Sequence, residues 1–275
     1  MSSITLSRSN LWVARAAWRR TAIVFCHILW RDIWVTLKEW QAFIGITFVQ
    51  PVMMLLIFGW LMPRLGQLQS SYSLLLIPGT IAMVILLTAM QSVSFPLIID
   101  FGYTKEIEDR LLAPIPVAWV GLAKMTFAAV RGLAAGILLG SLAYLFLIHG
   151  QHLGAFHWPL LFLVATLTAF CGAAAGLGLG TLVKPANLSL VFSIVITPLG
   201  FIGCVFYPWK QLDDIPWLQV LTCLNPITYG SEGFRAGMTP ATPHMSVSLV
   251  LLGQVISLLA LSYFGLTGFL RKAVS

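Results

Sequence analysis

The sequence predicts an all-α integral membrane protein with six transmembrane helices, an N-terminal interfacial helix and re-entrant outer helices before the last span. Three observations carry that expectation. The chain is 59% hydrophobic and only 9% charged, whereas a soluble domain is about 45–50% apolar and about 25% charged, so it lacks the charges to cover a water-facing surface. Its mean hydropathy is +0.91. The charges that exist leave long windows free of Asp, Glu, Lys and Arg: Trp40 to Pro63, Leu65 to Ile99, Gly132 to Val183, Pro185 to Trp209 and Ala236 to Leu270. About 20 apolar residues in a helix cross about 30 Å of hydrocarbon. Finally, the basic residues are distributed with a strong bias to one side of that layout.

Residues 1–41 form the first unit, a cytoplasmic interfacial amphipathic helix, and residues 42–275 the second, the six-span domain. A crossing helix in 10–41 would bury Arg31 and Asp32 at a cost of several kcal/mol. On a helix, Arg20, His27, Arg31 and Lys38 share one rail, with Trp12, Trp30 and Trp34 on an adjacent face, the pattern of a helix lying in the membrane interface. Such a helix serves either as a simple anchor or as a lever touching a cytoplasmic partner. This start does not read as a cleavable signal, having no short apolar core followed by a small-residue cleavage site.

The spans follow at about 42–62, 77–99, 126–148, 159–183, 188–207 and 248–269. The Gly132–Val183 window holds two of them, broken at "HGQHLGAFHWP" by Gly and Pro. With six spans both termini share a side. That side receives thirteen of the sixteen Lys and Arg, and the other only Arg64, Lys210 and Arg235. Positive residues mark the cytoplasmic side, so both termini are expected there, and the basic excess reports orientation, not nucleic acid.

Between the second and third spans, "YTKEIEDRLLAPIPV" at 103–117 gathers Lys105, Glu106, Glu108, Asp109 and Arg110, including three of the nine carboxylates. Before the last span, "FYPWKQLDDIPWLQVLTCLNPITYGSEGFR" is apolar yet broken by Pro208, Pro216 and Pro226. Short helices dipping in from the outer face fit it, within 208–237: about 209–222, then 226–236 with Asn225 as cap and Pro226 at the first position. Glu232 and Arg235 stand three apart, within pairing reach on that helix.

Several motifs are set aside. "GAAAGLGLGTLVK" at 172–184 lacks the G-x-x-x-x-G-K-[ST] spacing of a phosphate loop; Gly172, Gly176 and Gly180 read instead as a small-residue helix-packing face. His149, His152 and His157 cluster in one outer turn, either as polar interface residues or as part of a metal site, but no Cys, Asp or Glu stands near to complete a tetrahedral set. The four cysteines form no CxxC pair and suggest neither disulfides nor zinc. No carboxylate falls mid-span, which argues against a proton-coupled carrier.

With these pieces in place, the chain resembles the permeases of ABC-2-type transporters along nearly its whole length. The resemblance rests on "LNPITYGSEGFR" at 224–235 (Asn225, Pro226, Tyr229, Glu232, Arg235), on "EIEDRLLAPIPV" at 106–117, and on "IPGTIAM" at 77–83. It implies the membrane subunit of an ATP-driven exporter in the bacterial cytoplasmic (inner) membrane. That subunit would be a homodimer carrying two copies of a separate ABC ATPase, with ATP and Mg on the partner and no cofactor in this chain. It also implies that 103–117 is a coupling helix, on which Glu106, Glu108, Asp109 and Arg110 meet the ATPase; an ordinary solvated loop is the alternative. The apolar span faces suggest an amphipathic or lipid-linked cargo. A lipid-linked polysaccharide permease, a membrane enzyme using the outer histidines and a motorless channel subunit remain open beside it.

Overall fold

The computed structural model describes residues 40–69, 72–104, 116–148 and 156–274, with most of 26–38. Among these residues all regular structure is helical, with no strand. Helix α1 (Trp40–Met54) continues through a π-helical stretch, Leu55–Leu61, and a closing turn, Met62–Arg64. Helix α2 (Tyr72–Ile99) runs on as a π-helical end, Asp100–Thr104. Then come α3 (Val117–Ala143), α4 (Trp158–Leu182), α5 (Leu188–Ile202), the short α6 (Pro216–Thr222), α7 (Pro226–Met238) and α8 (Val247–Val274).

Five stretches are long and apolar enough to cross a membrane: Phe43–Arg64, Tyr72–Gly102, Val117–Phe146, Trp158–Leu182 and Val247–Ala273. The sixth expected span, 188–207, forms a helix of only 15 residues, rising about 22 Å, short of the hydrocarbon thickness of about 30 Å. It stops at Gly203 because the carbonyls of Gly203, Cys204 and Val205 are taken by side chains of α7. Cys204 adopts φ 52, the left-handed region, at that turn. The third span also differs from expectation: α3 begins at Val117, well before 126, and so carries Lys124 inside the helix.

Helix α2 is the axis of the bundle. In its most apolar window 83% of residues are buried, against 11% for α8, whose outward face is Leu249, Leu252, Ile256, Leu259 and Phe264. Lipid tails are as apolar as leucine, so such helices associate through close packing and hydrogen bonds rather than by leaving water. The sequence supplies the close packing with glycine. Gly172 and Gly176 of α4 lie on the carbonyls of Leu86 and Met90 in α2, and Gly180 on Leu97. From the other side, Gly132 and Gly136 of α3 lie against Ile85. Helix α8 is drawn in the same way onto α4, Gly265 against the carbonyl of Ala174.

The polar residues of α2 cost little in that setting, because Thr80, Ser92 and Ser94 donate to the carbonyls of Leu76, Thr88 and Met90 in their own helix. A β-carbon at position 176 meets backbone that cannot turn aside. Gly176→Val is therefore expected to destabilise the bundle by about 1–3 kcal/mol, read as a lowered unfolding temperature in detergent. Gly45→Ala, where nothing stands within 4 Å, should leave that temperature unchanged.

Candidate functional site

The most polar part of the interior is built around α7. Pro226 opens this helix at a position whose N–H has no helical partner in any case. Asn225 caps it: its Oδ1 accepts the N–H of Ile227 at 3.0 Å, while its Nδ2 donates to the carbonyl of Leu199 in α5 at 2.8 Å. The same short turn is closed by Thr228, whose hydroxyl donates to the carbonyl of Thr222, and by Tyr229, whose hydroxyl donates to that of Cys223. The Tyr229 ring lies on Gly253 of α8. Ser231 donates to the carbonyl of Gly203, which stitches α7 to the turn after α5.

One turn further along, Glu232 and Arg235 are both fully buried and paired, Nη1 to Oε1, at 2.6 Å. The remaining capacity of both groups is used on backbone. Oε1 of Glu232 also accepts the N–H of Trp209 at 2.9 Å, and its Oε2 accepts that of Met245 at 2.6 Å. Arg235 donates through Nη2 to the carbonyls of Cys204 and Val205, at 2.6 and 3.0 Å, and through Nε to that of Leu75 at 3.4 Å. One ion pair thereby holds α7, the start of α2, the turn after α5, the Trp209 turn and the lead into α8. Helix α2 can come this close because Gly79 presents no side chain to the backbone of Val205. The arrangement is an anchor: the guanidinium faces a carboxylate and carbonyls that neutralise it.

A second buried pair lies at the opposite end of α2. Lys124 of α3 meets Asp100 at 3.1 Å, Nζ to Oδ2, with both residues buried. Beside it Lys272 of α8 donates to the carbonyl of Thr181 in α4 and stands over the ring of Phe101. In the sequence, Asp100 only closes the uncharged window from Leu65 to Ile99, and Lys124 counts only toward the thirteen basic residues of one side. The available signal was two opposite charges flanking one connection between adjacent apolar helices. A third polar contact also went unnoticed: Gln254 of α8 donates to Thr168 of α4 at 2.7 Å.

The other sequence-selected residues are placed only in part. Glu106, Glu108, Asp109 and Arg110, with most of the 103–117 segment, lie outside the described residues, as do Arg20, His149 and His152. The described part of the N-terminal segment is helical. Arg31 there pairs with Asp32 at 3.5 Å, Lys38 stands over the Trp34 ring, and Trp30 and Trp34 are exposed. In place of one helix over 209–222 the chain forms a 3-10 turn, Trp209–Leu212, and then α6. Proline at 216 cannot continue a helix begun at 209, but it can start one.

The comparisons with known proteins agree with one another. The family model of the ABC-2 type transporter matches residues 23–239, which takes in α1 to α7 and both buried ion pairs. The chain is 34% identical over 226 residues to the inner membrane transport permease YadH of Escherichia coli K12, covering 77% of this chain and 84% of that protein. It is 26% identical over 296 residues to the protein ycf38 of Cyanophora paradoxa, covering 98% and 95%.

Because Arg235 serves Glu232 and three carbonyls at once, a lysine cannot replace it: an ammonium is a point charge without the planar fork. Arg235→Lys is expected to lower the yield of folded protein in size-exclusion profiles. Arg235→Met, which leaves the Glu232 charge buried alone, should be worse, by about 3–5 kcal/mol. Retention of the wild-type unfolding temperature by Arg235→Met would contradict the anchoring role.

Proposed function

This chain belongs to the ABC-2 type transporter family, and on that premise we propose that it is the membrane permease of an ABC exporter. In this reading it moves an amphipathic or lipid-linked molecule outward across a bacterial inner membrane. The work is done by ATP hydrolysis on a separate ABC ATPase, of which two copies serve a permease homodimer. Residues 42–275 are the permease domain with six spans, α5 completing the set together with the turn that follows it. Both termini face the cytoplasm, α6 and α7 are re-entrant from the outer side, and 1–41 is a helix in the cytoplasmic interface.

The observation that carries the reading is the place of the charged segment. It joins α2 and α3, two neighbours in the bundle that are each long and apolar enough to cross a membrane. It holds three of the nine carboxylates. Charges of both signs at a docking contact select a partner and fix its register more than they add affinity. Glu106, Glu108, Asp109 and Arg110 are therefore assigned to the coupling contact with the ATPase. The exposed Trp30 and Trp34, with Arg31 and Lys38 along the same helix, support the interfacial placement of the N-terminal segment. The exposed apolar faces of α3 and α8 favour a membrane cargo over a small ion.

Reversal of Glu108 and Asp109 to Lys tests the coupling assignment. At a docked site, like charge set against a basic groove costs several kcal/mol; on a solvated loop the change stays within about half a kcal/mol. The variant should reach the membrane at normal levels and fail to capture the co-expressed ATPase. The same reversal at Asp213 and Asp214, on the connection before α6, should retain capture. Undiminished capture by the first variant would make 103–117 a plain loop. Orientation has its own check. Cysteines placed at Ser2 and Ser275 should be shielded from an impermeant thiol reagent in intact cells, while one at Gln151 should react, as the thirteen-to-three basic bias requires.

A further inference from the structure

The Asp100–Lys124 pair stands where α2 and α3 lead into and out of the connection 105–115. Asp100 is the first residue of the π-helical end of α2, and Lys124 lies two turns inside α3, so the pair closes the base of the connection that carries the charged segment. Its Nζ–Oδ2 distance is 3.1 Å and both residues are buried. The following residues extend the contact to the other helices. Phe101 packs edge-on to Phe269 of α8 and lies beneath Lys272. Gly102 presses on the ring of Pro185, which leads into α5. Lys272 in turn holds the carbonyl of Thr181 at the end of α4. The end of α2 thus touches α3, α8 and the turn that precedes α5 within three consecutive residues, and α4 through Lys272.

We propose that Asp100 and Lys124 are positioning residues for energy coupling: their ion pair makes α2 and α3 move as one body when the 105–115 segment moves. The physical reason lies in register. Gly132 and Gly136 of α3 seat Ile85 farther along α2, whereas at the Asp100 end the contact between the two helices includes a polar bond. A short charge-assisted bond fixes register, because a displacement of one turn leaves both charges buried without partners. A buried pair of this kind adds little stability over an apolar pair of the same volume, and register is the best-attested use of such a group. A π-helical stretch at the same point agrees with a site of function, since such bulges concentrate there.

This inference rests on the reading of 103–117 as the docking segment, and its test separates the two. The full chain is assembled with its ATPase in lipid nanodiscs. Hydrogen exchange is then followed with and without a non-hydrolysable ATP analogue, over 105–115 and over the far ends of α2 and α3 (65–72 and 144–157). In the wild type the analogue should change exchange in all three regions. Asp100→Leu/Lys124→Met replaces the pair by apolar side chains and should keep the unfolding temperature, ATPase capture and the response of 105–115. It should lose the response at 65–72 and 144–157. Lys124→Arg, which keeps the charge and the bond, should retain all three. A far-end response that survives in the apolar double variant overturns the proposal, as does loss of ATPase capture in that variant, which would make the pair part of the docking site. Failure of the docking reading itself shows elsewhere, as ATPase capture by the Glu108→Lys/Asp109→Lys chain.

Discussion

A guanidinium keeps its charge under all physiological conditions, so Arg235, with no exposed surface, must be neutralised and hydrogen-bonded where it stands. The rest of the structure depends on how that is done. Glu232 supplies the countercharge from one turn earlier on the same helix. One remaining donor reaches the carbonyl of Leu75 in the first turn of α2. Two further acceptors come from an interrupted backbone, the turn at Cys204 and Val205, and that demand explains why α5 ends where it does. Within hydrocarbon, non-helical backbone is tolerated only where protein satisfies its polar groups. Charge and broken backbone solve each other's problem: the turn neutralises the arginine, and the arginine permits the turn.

The same logic runs through the glycines of α2's neighbours. Gly79 admits the Val205 backbone, and Gly172 and Gly176 admit the α2 carbonyls to α4. Close approach of backbones is the main attraction available between helices that lipid would solvate equally well. The bundle is accordingly organised by where side chains are absent. Large residues collect on the faces that remain outward, such as Phe162 on α4 and Phe264 on α8.

How far the sequence revealed this differs by kind of signal. Apolar windows bounded by charge located α1, α2, α4 and α8 to within a few residues, since a long helix in an apolar medium leaves a long uncharged run. Asn225 and Pro226 announced the start of α7 because capping is local chemistry, and Glu232 and Arg235 were within reach of one another by helical spacing alone. What stayed hidden was set by distant backbone. Nothing near position 204 shows that its carbonyl is reserved for residue 235. The span boundary placed at 126 overlooked that Lys124 could enter the helix once Asp100 met it. A charged residue ends a hydrophobic window on paper, yet a paired one does not end a buried helix.

The two ion pairs sit at opposite ends of the central helix and differ in what they bond to. Beyond their own pairing, Glu232 and Arg235 bond only to main chain, from four separate segments, so no single element can shift without stranding a charge. Around Asp100 the bond runs between two side chains on adjacent helices, and the neighbouring contacts are aromatic rings, a cation over one of them and a proline ring. The Glu232–Arg235 pair is locked to the main chain of its neighbours, whereas the Asp100–Lys124 bond ties one side chain of α2 to one of α3. Helix α2 is thus held through backbone acceptors at its Tyr72 end and through side chains at its Asp100 end.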